Sequence, residues 1–252
     1  LLLGLAFGSF LNVCIVRLPA HRSIVTPGSH CPHCAAPIRS RDNVPLVSWL
    51  CLRGRCRACK SRISLQYPLV ELATAVLFIA CVFHTGANWQ TLIDAVACFY
   101  LLGLAVMDWQ TMLLPDSFTL TGIAAAFLLR VFAPGNRFRL HTAIRTLEDA
   151  AIAAVLLLLV WALYWVVRRR EGVGLGDVKL LAMIAAFTGL ALALFAYFIG
   201  VLAAALFAIV LLTRHKARGF DRIPFGSFLA AAGIAAIFLG TPAIAWYLSA
   251  FL

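Results

Sequence analysis

Apolar residues fall in long runs along the chain, at roughly 1–16, 68–86, 91–107, 117–133, 149–167, 178–194, 195–213 and 226–250, and polar residues collect between them. Each run approaches the roughly 20 apolar residues that a helix needs to cross the hydrocarbon core of a bilayer. The pattern predicts about eight transmembrane helices, the sixth and seventh almost continuous with Gly189 as the turn between them. One polar stretch, 17–67, is much longer than the rest. The predicted organisation is therefore a first transmembrane helix over 1–16, a loop domain over 17–67 and a seven-helix membrane core over 68–252. No repeat of fixed period and no low-complexity tract interrupts it.

Composition agrees with this all-α, polytopic reading. Of 252 residues, 63% are apolar and 12% charged, against about 45–50% and about 25% in soluble domains. A water-soluble enzyme, a disordered chain and a fibrous protein are excluded. The net charge of +11 would suggest nucleic acid in a soluble protein. In a membrane protein it reports orientation, because Lys and Arg collect in cytoplasmic loops, and no nucleic-acid partner is expected. Segment 17–67 carries nine Lys and Arg, and with it inside, the eight-span topology puts 17 inside and 4 outside. Both termini are then expected outside. The basic stretch 130–148, with Arg130, Arg137, Arg139 and Arg145, argues against this, and Glu148 and Asp149 only soften the conflict. The chain opens directly on apolar residues without Met or a basic run, so it is read as lacking its true start and as having no cleavable signal peptide.

Within 17–67 lie Cys31-Pro-His-Cys34 and Cys56-Arg-Ala-Cys59, with 21 residues between the two pairs. Two such knuckles supply the four thiolates that tetrahedral Zn²⁺ prefers. Disulfides or a redox role are the alternatives, and a reducing cytoplasm disfavours them. A loop so rich in Arg and turn residues has too little apolar content to fold alone, and a metal cross-link supplies the missing stability. The expected module is a small cytoplasmic zinc-binding domain. Cys51 is expected to be a packed thiol, Cys14, Cys81 and Cys98 buried small hydrophobes, and His33 a less favoured substitute ligand.

Acids in spans are costly and are the residues to question first. Asp94 suits the first turn of a helix. Glu71 reads equally as a first-turn acid or a functional one, and Asp116, after Pro115, as a helix cap or a functional acid. Asp108 ends an apolar run with no basic residue near it in sequence, where the helix dipole disfavours a negative charge. Asp177 sits in Gly174-Leu-Gly176-Asp177-Val-Lys179, where the glycines permit another backbone to approach closely. If their helices pack together, Asp108 and Asp177 form a pair sharing one proton. That pair would suit an aspartic peptidase, a proton- or ion-coupled transporter or a structural contact, and the residues alone leave all three open.

Taken together, several motifs resemble those of the type IV prepilin peptidases. They are Gly8-Ser-Phe-Leu-Asn-Val13 with Arg17-Leu-Pro19, Asp42-Asn-Val-Pro-Leu-Val-Ser-Trp49, Arg53-Gly-Arg-Cys56-Arg-Ala-Cys59, Tyr67-Pro-Leu-Val-Glu71, Asp108 with Leu114-Pro115-Asp116, Gly174-x-Gly176-Asp177-Val-Lys179-Leu and Ile223-Pro-Phe-Gly226. They span essentially the whole chain in order. The resemblance implies an enzyme of the bacterial inner membrane that removes the basic leader from type IV prepilins and type II secretion pseudopilins. It would then N-methylate the new terminus with S-adenosylmethionine. Asp108 and Asp177 are the implied catalytic acids, with Asp116, Gly174, Gly176, Lys179 and Glu71 in support. Cys31, Cys34, Cys56 and Cys59 are tied to zinc and to the methyltransferase half. Expected partners are the prepilins, membrane lipids, and pilus or secretion assembly components.

Gln66 and Ser227 depart from the pattern, standing where Arg and Pro are frequent. The four cysteines argue against a presenilin-like protease without methyl transfer, and a purely structural role would leave the acid pair superfluous. No glycine-rich nucleotide motif marks the methyl-donor site; Glu71, at the loop's edge, is a candidate for it. A basic leader meets a positively charged protein face, so Glu71, Asp116 or Glu171 is expected to receive it while basic patches hold anionic lipid headgroups.

Overall fold

The computed structural model describes residues 1–169, 174–214 and 223–251. Glu171, a candidate above to receive the leader, lies outside them, as do some of the basic residues counted on the inner side. The chain divides into two compact units, Leu1–Gly86 and Ala87–Leu252. The regular elements among the described residues are helices, and the only strand-like pairings among these residues are two isolated bridges.

The first unit holds α1 (Leu2–Arg17), the short α2 (Val47–Cys51) and α3 (Gln66–Thr85), with a 3-10 turn at Ser40–Asp42. Helices α1 and α3 lie against each other. Gly4 and Gly8, one turn apart, make this possible: a Cβ on either would sit 2.6 Å from the Cα of Ala75 or Glu71. Lipid is as apolar as leucine, so membrane helices associate through such close backbone packing. Asn12, buried in this interface, donates from Nδ2 to the Tyr67 carbonyl at 3.0 Å.

Between α1 and α3 the two cysteine knuckles have the same local fold. Cys31 N–H bonds to Ala36 O and Ala35 N–H to Cys31 O; Cys56 N–H bonds to Ser61 O and Lys60 N–H to Cys56 O. The bridges His30–Pro37 and Arg55–Arg62 close each knuckle. Ala35 and Lys60 both turn through positive φ, at 55° and 60°.

The second unit holds α4 (Trp89–Thr111), α5 (Asp116–Val131), α6 (Arg139–Arg168), α7 (Leu175–Thr188), α8 (Leu190–Thr213) and α9 (Phe225–Ala235). A π-helical stretch, Ala236–Gly240, links α9 to α10 (Thr241–Phe251). Pro242, which lacks an N–H and clashes with the preceding turn, accounts for the irregularity. Helix α7 touches α4, α5, α6, α8 and α9, and Leu180 to Phe187 are buried without a break. A helix apolar all round belongs in the core.

The polytopic all-α class holds, but the count of eight does not follow from helix length. Among the described residues, five helical stretches are long and apolar enough to cross a membrane: Gln66–Thr85, Trp89–Thr111, Arg139–Val167, Leu190–Thr213 and Phe225–Ala250. The helices Leu2–Arg17 and Asp116–Val131 have 16 residues each and Leu175–Thr188 has 14. At 1.5 Å per residue the last is only about 21 Å long, against a hydrocarbon core of about 30 Å. The run 178–194 was therefore no single span: Gly189, at φ 88°, ends α7 and starts α8. An apolar run records burial, whether in lipid or in protein, and α7 is buried in protein.

Helix α6 begins ten residues before the expected 149, at Arg139. Three of the arginines that opposed the charge argument have protein partners. Arg130 donates to the Ala186 carbonyl at the end of α7 (3.2 Å), Arg139 lies over the Phe132 ring (5.5 Å), and Arg145 is 3.9 Å from Glu148.

Candidate functional site

Asp108 lies in the last turn of α4. Met112, in the left-handed conformation, terminates the helix and returns its N–H to the Asp108 carbonyl at 2.8 Å. The chain then bends through Leu114 and Pro115 into α5. Leu114 is the wedge of the site: a Cβ on Gly176 would fall 3.0 Å from its Cβ, and one on Gly226 would fall 2.9 Å from its Cδ1 and 3.1 Å from the Asp108 carboxyl carbon. The two glycines are thus needed for close approach of α7 and α9 to the end of α4.

That approach brings Ser227 to Asp108. The Ser227 N–H donates to Asp108 Oδ2 at 2.7 Å, and its hydroxyl lies 3.1 Å from the same oxygen. Asp177, in the first turn of α7, accepts the Gly174 N–H at 3.2 Å through its own Oδ2. Both carboxylates are buried, 5% and 8% exposed, and Asp177 is within electrostatic reach of Asp108. Each acid therefore has one oxygen fixed by an N–H at a helix start, where the dipole favours negative charge.

Lys179, two residues after Asp177, donates to Asp116 Oδ1 at 2.6 Å and ties α7 to the first residue of α5. Asp116 stands just after Pro115, the residue at the cap position. Asp94 accepts from Gln90 Nε2 at 2.8 Å. Ser227 was missed by sequence reasoning except as a departure from a pattern, since its donors matter only once α9 is placed.

In the first unit, Glu71 is buried in the second turn of α3 and accepts the Leu46 N–H at 2.8 Å. Leu46, at φ 59°, is in a conformation an L-residue adopts reluctantly, so Glu71 anchors a strained point of the loop.

The four thiols of Cys31, Cys34, Cys56 and Cys59 lie within 4.8 Å of one another, with Cys31 Sγ and Cys59 Sγ 3.8 Å apart. A tetrahedral Zn–S₄ centre with bonds of about 2.3 Å has sulfur–sulfur edges of about 3.8 Å. The donor set fits zinc. The backbone amides of Cys34 and His33 push the Cys31 thiol down to about 6 and Ser61 lowers Cys59, while Cys34 is pushed up to about 11, so the four thiols do not all ionise readily by themselves. Ser61 Oγ is 3.1 Å from Cys59 Sγ and supports it from outside the ligand set. The four clustered thiols form no disulfide; Cys14, Cys81 and Cys98 are buried as expected, whereas Cys51, expected to be packed, is exposed on α2. Asp42 pairs bidentately with Arg57 of the second knuckle, with Arg57 Nη2 2.6 Å from Oδ1. A cavity of about 360 Å³ beside this knuckle is lined by Leu52, Arg53, Arg55, Cys56 and Lys60.

Residues 2–85 match the bacterial peptidase A24 N-terminal domain, and residues 95–209 match the type IV leader peptidase family. The chain is 38% identical to a prepilin leader peptidase/N-methyltransferase of Stutzerimonas stutzeri, over 98% of this chain and 92% of that protein. It is 37% identical to the protein of that name from Aeromonas hydrophila, over 100% and 93%. With the Pseudomonas aeruginosa protein of that name it shares 36%, over 98% and 92%. No solved structure matches the chain.

Proposed function

The chain belongs to the type IV leader peptidase family, and from that premise we propose that it cleaves the leader from prepilins and N-methylates the new terminus, with Asp108 and Asp177 as the catalytic acids. It is a multi-pass inner-membrane enzyme. The observation that carries the assignment of the acids is their convergence, buried, where α4, α7 and α9 meet. Two carboxyls sharing a site hold one proton between them. The ionised one takes a proton from water as it attacks the scissile carbonyl carbon, and the protonated one hydrogen-bonds the carbonyl oxygen as negative charge develops there. The departing amine then regains a proton from the pair.

Gly176 and Gly226 keep α7 and α9 close enough to hold both acids, and Gly174 supplies the N–H that orients Asp177. Lys179 and Asp116 brace α7 against α5. The cysteine module, 17–67, is assigned to the methyltransferase half, with Cys31, Cys34, Cys56 and Cys59 holding a structural zinc. Glu71 fixes its Leu46 corner. The methyl group comes from S-adenosylmethionine, whose carboxylate finds suitable cations in Arg53, Arg55 and Lys60 around the cavity. The positive-inside rule supports a cytoplasmic position for the module and the acids, with both termini outside. Pseudopilins are the second substrate class, and the basic surface residues suit anionic lipid headgroups. Nothing favours the transporter reading.

The test is leader cleavage by the purified protein acting on a prepilin, comparing wild type with Asp108→Asn and Asp177→Asn. Each variant is expected to lose cleavage by at least about 10²–10⁴-fold while still methylating a substrate supplied without its leader. Retained cleavage in both would overturn the acid assignment. A wild type that cleaves no prepilin would overturn the function itself.

A further inference from the structure

Ser227 is the only polar side chain of α9, and it is buried at the third position of that helix. Its N–H, 2.7 Å from Asp108 Oδ2, belongs to the first turn, where an α-helix offers no acceptor four residues back. Its hydroxyl oxygen is 3.1 Å from the same Oδ2 and 2.9 Å from the Ala105 carbonyl, both on α4. One hydroxyl carries one proton, so it serves these two acceptors in turn. The backbone N–H has no such freedom: it lies 2.7 Å from Oδ2 and 3.2 Å from the Pro224 carbonyl, and keeps that position whatever the charge of Asp108. Oδ1 has no hydrogen-bond partner among the described residues. The counterpart acid is held more lightly: among the described residues Asp177 receives the Gly174 N–H alone, at 3.2 Å.

We propose that Ser227 is a positioning residue for peptide hydrolysis that fixes Oδ2 of Asp108 as an acceptor and leaves Oδ1 as its reacting oxygen. This rests on the assignment of Asp108 to the catalytic pair. With Asp108 ionised, both Ser227 donors bind Oδ2. As a water O–H bond breaks, its proton passes to Oδ1, the oxygen's electron pair forms the new bond to the carbonyl carbon, and the carbonyl π pair moves onto oxygen. The carboxyl is now neutral, and the hydroxyl turns to Ala105 while the N–H stays. When the proton leaves for the departing amine, the hydroxyl returns. Ser227 thereby follows the charge of Asp108 through the cycle without any backbone movement.

Other ionisable groups on the helices touching α4 are accounted for. Among the described residues, α7 brings Asp177 and Lys179, α5 brings Asp116, paired with Lys179, and Arg130, bound to the Ala186 carbonyl, and α8, whose Phe207 packs on Trp109 of α4, brings Tyr197, within electrostatic reach of Asp177. Helix α9 brings none. The two Ser227 donors can therefore be removed without altering any charge around Asp108.

The experiment measures kcat and KM for prepilin cleavage across pH with the full-length wild type and three variants. Ser227→Thr keeps both donors, Ser227→Ala keeps the N–H alone, and Ser227→Pro keeps neither. Donors to a carboxylate favour its charged form, so losing them moves the acidic limb of kcat to higher pH. The expected displacement is about half a unit for Ala and about one unit or more for Pro, with Thr superimposed on wild type and KM unchanged throughout. Superimposed profiles for Ala and Pro, or changes confined to KM, would overturn the proposal. Should Ser227→Pro fail to fold, Ser227→Ala decides alone. Failure of the wild type to cleave would count against the family activity and not against Ser227.

Discussion

Burial and exposure set what a single charge can do. Asp42 and Arg57 form a bidentate pair near the loop's surface, with the Arg57 side chain 55% exposed. The guanidinium holds the Asp42 carboxyl below its usual range, chiefly through the direct hydrogen bond. A carboxylate lowered by folding stabilises the fold above its unfolded value, about 3.9, and loses that contribution as the pH falls through its folded value. Asp42→Asn is therefore expected to make the loop easier to cleave by protease at neutral pH. The difference from wild type should shrink below about pH 4. A gap that persists in acid would show that Asp42 acts by shape and not by charge.

Between elements, the α1–α3 contact depends on glycine for space and not for a special backbone angle. A Cβ at Gly8 would fall 2.6 Å from the Glu71 Cα, and backbone cannot yield as a side chain does. Gly8→Leu is expected to destabilise the first unit by about 1–3 kcal/mol and to loosen the Glu71–Leu46 contact on the same face. Thermal unfolding in detergent reads the first effect. An unchanged midpoint would mean that the two helices part at little cost. Helix α7 is the contrasting case, since its surroundings are protein on all sides, and its 14 residues suffice because it is buried in protein and not bathed in lipid.

For the molecule as a whole, a cluster of four thiols in one unit and a buried acid pair in the other predict separable activities. Chelation of zinc, or Cys56→Ser, is expected to release one metal per chain, measured by elemental analysis, and to abolish methylation. Prepilin cleavage should persist. Loss of both activities on chelation would tie the metal to the entire fold.

Much of this was legible in the sequence because it depends on local chemistry. Hydropathy alone determined an all-helical membrane protein, since the backbone in lipid must satisfy its own hydrogen bonds. The two C-x-x-C pairs carried the four-thiol cluster, since each spacing closes a turn that brings its two thiols together. Asp108 and Asp177 stood out because an unpaired acid in an apolar run is costly wherever the chain goes. What only the tertiary structure decided is which residues meet across long separations. Ser227 reaches Asp108 because Gly226 and Leu114 interlock, and Lys179 reaches Asp116 across 63 residues. The number of spans belongs to the same class, because an apolar run looks alike whether its neighbours turn out to be lipid or other helices.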